Sequence, residues 1–161
     1  MEKGKLSKFI NKYSLGGLVE SVKWESNNNT LSTSFISDDK SVLGNVTMGE
    51  FKFRDSGFGV YDTSKLTKML GVLGTDVDFD LTEVDGKSVS LKFKDGSTSV
   101  NYMLADLSVI PSVPDLKSLP DFNIKLNLDT NFITKFIRAK GALQDENSFT
   151  FLQENGKSQL S

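Results

Sequence analysis

Five residues, Leu6-Ser7-Lys8-Phe9-Ile10, return as Leu66-Thr67-Lys68-Met69-Leu70 and again as Ile133-Thr134-Lys135-Phe136-Ile137. The shared pattern is aliphatic, hydroxyl, Lys, apolar, aliphatic, and the copies are 60 and 67 residues apart. A segment that recurs at long spacing reports a repeated architecture. Each copy sits in a stretch with helical spacing, and strand-like segments follow it. The pattern predicts three amphipathic helices, each with a positive charge at the same place on its outer face.

Charge is segregated along the same lines. Residues 3–17, 64–74 and 131–141 carry Lys3, Lys5, Lys8, Lys12, Lys65, Lys68, Lys135, Arg138 and Lys140, and none of the 21 acidic residues. The net charge of −2 hides this asymmetry. Local charge of one sign bears on binding and steering rather than on fold.

The chain of 161 residues has the length of one domain or two small ones. It contains no Cys and no His. Disulfides, thiolate nucleophiles and Cys-based zinc sites are therefore excluded, as are imidazole metal ligands and the commonest general base. No run reaches the ~20 apolar residues of a membrane-spanning helix. Met1-Glu2-Lys3-Gly4-Lys5 leads into an amphipathic helix rather than an apolar signal core. The expected location is intracellular.

Residues 6–15 read as a helix. Leu6, Phe9, Ile10 and Tyr13 form its buried stripe, Lys5, Lys8 and Lys12 share another face, and Gly16-Gly17 ends it. Strands are predicted at 18–25, 30–36, 41–48, 50–54 and 58–61. The second helix covers 64–73, with Asp62 or Ser64 as cap and Gly74 as its end. Three strands follow, through Val77-Phe79-Leu81, Val89-Leu91-Phe93 and Val100-Tyr102-Leu104, with Asp85-Gly86 as a hairpin turn. Pro111, Pro114 and Pro120 all fall in 106–121, which reads as an extended connector. Phe122, Ile124, Leu126 and Leu128 alternate as a strand. Asp129 caps a third helix at 131–140 with Ile133, Phe136 and Ile137 expected inside. Ser148 to Leu152 reads as a last strand, and Asn155-Gly156 as a turn whose partner strand has barely begun at Ser161. The organisation expected is a first domain over 1–105, a connector over 106–121, and the start of a second, truncated domain over 122–161.

Other constellations carry less. Asp76, Asp78 and Asp80 lack the Gly and terminal Glu of a calcium loop and read as the wet face of a strand. No carboxylate pair stands out for hydrolysis. Gly57-Phe58-Gly59 lacks a phosphate-loop context and reads as a turn. Trp24 reads as packing.

Val60-Tyr61-Asp62-Thr63-Ser64-Lys65-Leu66 through Leu73 resembles the strand entering the second helix of the sliding clamps of T-even-type phages, the DNA polymerase processivity factors. Asp95-Gly96-Ser97-Thr98-Ser99-Val100 through Ala105-Asp106, the proline-bearing connector, and Leu128-Asp129 entering the third helix are similar again. The resemblance covers essentially the whole chain through the order and spacing of its elements. It implies an α+β DNA clamp fold, with antiparallel sheets outside and short basic helices on an inner face.

It also implies a non-catalytic subunit of a homotrimeric ring that encircles duplex DNA without sequence specificity and tethers the polymerase, with a clamp loader as further partner, no cofactor, no membrane, and the cytoplasm of an infected bacterial host as location. Lys5, Lys8, Lys12, Lys65, Lys68, Lys135, Arg138 and Lys140 would face DNA. Val109, Ile110, Val113, Leu116 and Leu119 would form the lip of a groove for partner peptides. A complete subunit needs four helices and the chain shows three, so the fourth is expected beyond Ser161. The competing reading is a small β-rich interaction or virion structural protein whose basic helices meet an acidic partner.

Overall fold

A computed structural model describes residues 1–115, 118, 121–122, 126–143, 145, 148–154 and 157–160, the last two stretches mainly as backbone. Two compact units emerge, Met1–Asp115 and Leu116–Ser161.

In the first unit the chain runs α1 (Lys3–Ser14), β1 (Val22–Asn27), β2 (Thr30–Ile36), β3 (Leu43–Met48), β4 (Ser56–Val60), α2 (Thr63–Gly71), β5 (Asp78–Val84), β6 (Lys87–Asp95) and β7 (Thr98–Met103). The strands form two antiparallel sheets, one ordered β3-β2-β1-β4 and the other β5-β6-β7. Two hairpins close on the residues the turns demand. Asn28-Asn29 and Asp85-Gly86 both sit at positive φ, the conformation of a two-residue turn that matches strand twist.

The first unit is a repeat with exchanged edges. β4, which leads into α2, pairs along β1 from Val22↔Val60 to Ser26↔Ser56 and so completes the sheet of the first helix. The segment Met1–Lys3, which leads into α1, pairs with Thr75–Val77 beside β5, through Glu2↔Asp76 and backbone bonds of 2.8 Å from Lys3 to Thr75 and from Val77 to Met1. The start of α1 therefore lies at the end of α2. The end of α1 lies at the start of α2, where the Tyr13 hydroxyl meets Thr63 Oγ1 at 3.1 Å. The two helices run antiparallel, side by side.

The apolar stripes read from sequence are the core. Leu6, Phe9, Ile10 and Tyr13 of α1 and Leu66 and Leu70 of α2 are buried. Trp24 is fully enclosed, with edge-on rings from Phe9 at 5.4 Å, Tyr13 at 6.3 Å and Phe58 at 5.8 Å. A second cluster joins Phe51, Phe53, Phe79 and Phe93, and Phe58 to Phe79 at 6.0 Å connects the two. Val77, just before β5, and Leu81 within it are buried while Asp76, Asp78 and Asp80 face out, as the alternation predicted.

Several expectations change. Residues 50–54 form no strand. Phe51 is anchored by its amide on the Asn29 carbonyl, and Phe51 and Phe53 enter the aromatic cluster without a ladder. β1 starts at Val22, not at 18, and Leu18 is exposed. Asp62, not Ser64, caps α2, accepting from the Lys65 amide at 2.7 Å. α2 stops at Gly71, and Gly74 instead gives its amide to Asp95.

In the second unit, α3 (Thr130–Ala142) is capped by Asp129, which accepts from the Phe132 amide at 2.7 Å. β8 (Phe151–Glu154) pairs antiparallel with β9 (Lys157–Leu160), so the partner strand is present rather than barely begun. Asn155-Gly156 and Ile124 lie outside the described residues. The described part of 122–128 is not strand, and Phe122, Leu126 and Leu128 are exposed. Ile133 and Ile137, expected inside, are exposed, and no described residue of α3 is buried. Helical spacing identifies an apolar face but does not supply what covers it.

Hydroxyl groups pin the start of α2. Tyr102 donates to the Asp62 carbonyl and accepts from the Asp62 amide at 3.0 Å, while Thr63 donates to the Glu20 carbonyl at 2.9 Å. Burial pushes the Tyr102 phenol up to about 12, and burial likewise raises Tyr13. The folded chain thus holds these protons more tightly than an unfolded chain, whose tyrosines titrate near pH ~10. Stability is complete below that pH and is lost as pH rises from there toward the folded values. In an alkaline titration, Tyr13 and Tyr102 should form tyrosinate only together with loss of the helical circular-dichroism signal. Full tyrosinate formation near pH ~10 with the helices intact would contradict this network.

Candidate nucleic-acid interface

The surface that α1 and α2 share is built by their own periodicity. With Leu6, Phe9, Ile10, Leu66 and Leu70 turned inward, Lys5, Lys8, Lys12, Lys65 and Lys68 must stand on the exposed side, and all five do. Neither helix contains an acidic residue. Lys5 to Lys12 covers about 10 Å of helix axis at 1.5 Å per residue, a run of some three phosphates on one strand of duplex DNA.

These cations are not equivalent. Among the described residues, Lys8, Lys12, Lys65 and Lys68 have neither an ion pair nor a hydrogen bond on the ammonium group. Lys5 is paired with Glu50, which lies just beyond β3. Their mutual hydrogen bond raises the Lys5 ammonium above its ordinary pKa and holds the Glu50 carboxyl below its own. Lys3, which lies in the same basic window, spends its ammonium on the Leu73 carbonyl. Between the helices runs a shallow trough, two adjoining hollows of about 270 and 230 Å³ that share Asn11 and Thr67 as lining. Its rims are Lys68 on one hollow and Lys3 on the other, and its lining has no carboxylate. Glu20 approaches one mouth, where it accepts from the Ser64 amide at 2.7 Å.

In the second unit, Lys135 and Arg138 are exposed on α3. Lys140 is half-buried, with its ammonium 5.7 Å from the centre of the Phe149 ring, and Phe149 packs edge-on against Phe136.

The connector residues divide. Val109 is exposed, Val113 is half-buried and Ile110 is buried. Leu116 and Leu119 lie outside the described residues. Ile110 fills the space over Gly59, where an added Cβ would lie 2.7 Å from the Ala105 carbonyl oxygen and 2.9 Å from Ile110 Cγ1. Ile110 is thus a plug rather than an exposed lip. A hollow of about 300 Å³ lies between Leu107–Val113 and the outward residues Lys23, Glu25 and Ser34 of β1 and β2. Another, of about 360 Å³, opens between β4 and the end of β7, and Lys87 and Asp106, ion-paired at 2.8 Å, are among its lining. Their hydrogen bond raises the Lys87 pKa and lowers that of Asp106. Sequence reasoning missed this second hollow. Its lining comes from three separate segments, 57–59, 86–89 and 103–107, which no local window of sequence brings together.

Among the described residues no group of three or more acidic side chains is placed to hold a metal ion, and no helix is long and apolar enough to cross a membrane.

Comparison with solved structures assigns the fold. Pol III beta of Caulobacter crescentus superposes with a TM-score of 0.66 at 15% identity, over 99% of this chain and 46% of that one. A DNA polymerase sliding clamp from Caulobacter crescentus gives 0.62 at 13% identity, over 99% and 45%. A sliding clamp, DNA polymerase III subunit beta, from Pseudomonas aeruginosa bound to griselimycin gives 0.52 at 18%, over 74% and 32%. The chain spans about half the length, or less, of these structures. No protein-family model matches it, and no curated protein matches its sequence. The fold is the α+β clamp fold.

Proposed function

We propose that this chain belongs to a non-catalytic sliding-clamp subunit that surrounds duplex DNA and tethers a replicative polymerase. The observation that carries the reading is the face of α1 and α2, two helices without an acidic residue, on which Lys8, Lys12, Lys65 and Lys68 are unpaired among the described residues, on a fold found in sliding clamps. Such cations attract phosphates without reading bases. Solvated contacts of this kind hold a duplex weakly and let it slide, so retention comes from encirclement. The acidic residues that lie outside the basic windows repel other DNA.

The finer reading follows the resemblance to T-even-type phage clamps: a homotrimeric ring, a clamp loader as partner, and an infected bacterial cell as setting. Lys135, Arg138 and Lys140 of α3 are further DNA-facing residues in this reading. Val109 and Val113 border a site for partner peptides, over the hollow between the connector and the outward face of β1 and β2. The domain organisation belongs to the same proposal, a first clamp domain followed through the connector by residues of a second.

The test is duplex binding followed by fluorescence anisotropy on two unrelated sequences across a salt titration. The expected result is weak binding, equal for both sequences, with a log–log salt slope of about −0.9 for each phosphate neutralised. No association at low salt, or strong preference for one sequence, would remove the clamp reading.

A further inference from the structure

We infer that Glu50 is a built-in counter-charge that holds Lys5 away from DNA and keeps the association of the α1–α2 face weak; the inference rests on the proposal that this face meets DNA.

Lys5 has the same helical placement as Lys8 and Lys12, yet only Lys5 of the three is engaged by a carboxylate. Glu50 is placed there by the backbone on both sides of it. Met48 pairs with Leu31 in the sheet, and the Phe51 amide is bonded to the Asn29 carbonyl at 2.8 Å with the Phe51 ring buried. Between these anchors Glu50 adopts φ +59°, a left-handed conformation that favours Gly, Asn and Asp. A side chain with a strong helical preference is thus kept in a disfavoured backbone state at a position where Gly would fit without strain. A strained residue held by its surroundings points to a role for its side chain.

The pair is open to solvent, with side-chain exposures of 47% for Lys5 and 76% for Glu50. Solvent screening makes such a pair a weak contributor to folding. Its effect on an approaching polyanion is larger, for two reasons. The ammonium already has a partner, and the carboxylate next to it repels phosphate. For a protein that must move along DNA, removing one cation from the contact set lowers the grip without altering the fold.

The experiment compares the 161-residue chain with its Glu50→Gln and Glu50→Gly variants, the second relieving the left-handed backbone should Gln disturb it. Duplex binding is measured by anisotropy against salt, with Lys68→Gln as reference. Both Glu50 variants should bind about 5- to 10-fold tighter near 0.1 M salt, with a salt slope steeper by about 0.9, the signature of one more neutralised phosphate. Most of the gain should disappear when Lys5 is also Gln. If the Glu50 variants bind like the parent while Lys68→Gln weakens binding, the counter-charge role is wrong and the DNA face stands. If the gain survives loss of Lys5, Glu50 acts only by repulsion and the capture of Lys5 is wrong. If Lys68→Gln also changes nothing, the DNA face itself is wrong and both ideas fall.

Discussion

Reversal of Lys8, Lys12, Lys65 and Lys68 together to Glu is expected to lower duplex affinity by about 10³-fold or more near 0.1 M salt. The estimate follows from the loss of about 0.9 logarithmic units per phosphate contact at that salt, before any repulsion from the new carboxylates is counted. The four side chains are exposed and unpartnered, so the substitutions remove nothing that packs the core. Far-UV circular dichroism should be unchanged. Single reversals should each remove about one unit of salt slope, and equal effects at Lys8 and Lys68 would match their equivalent places in the repeated pentapeptide. Lys135→Glu tests α3 separately. Unaltered binding in the quadruple variant, with the fold intact, would mean that this face does not meet DNA.

Trp24→Ala should destabilise the first unit by about 3–5 kcal/mol, the range for truncating a buried large aromatic. Trp24 is fully enclosed, and its ring meets Phe9 and Tyr13 from α1 and Phe58 from β4. Truncation therefore opens a void where the first helix, its own sheet and the exchanged edge strand come together. Typical domain stabilities are about 5–15 kcal/mol, so the loss is a large fraction of the whole. Urea unfolding followed by circular dichroism measures it. Trp24→Phe retains an aromatic partner for all three rings and should cost clearly less. A change below about 1 kcal/mol for Trp24→Ala would show that the site collapses without strain, against the packing described.

Much of this was legible in the residues. The i, i+3, i+4, i+7 stripe identified α1 and α2 and their buried faces, and Asp85-Gly86 marked a real turn. What sequence could not supply was tertiary pairing. The alternation of Phe51 and Phe53 looked like a strand because burial in an aromatic cluster and burial in a sheet leave the same trace. Ile133 and Ile137 repeat a pattern that is interior in the other two copies, yet they are exposed, because a pattern fixes orientation and not cover. Lys5 looked identical to Lys8 because its partner is 45 residues away, and no local window brings Glu50 to it. Ile110 looked like an exposed lip because nothing near it in the chain announces the bare backbone of Gly59 beneath it.

The exchanged edges bear on whether either half can stand alone. Two repeats that each kept their own strands could separate again, and either could be lost while the other survived as a smaller protein. Here β4 finishes the sheet of the first helix and Met1–Lys3 extends that of the second. Deleting one half would take β4 from the sheet that remains, and deleting the other would take the Met1–Lys3 pairing from beside β5. Tied in this way, the two halves stand or fall as one unit.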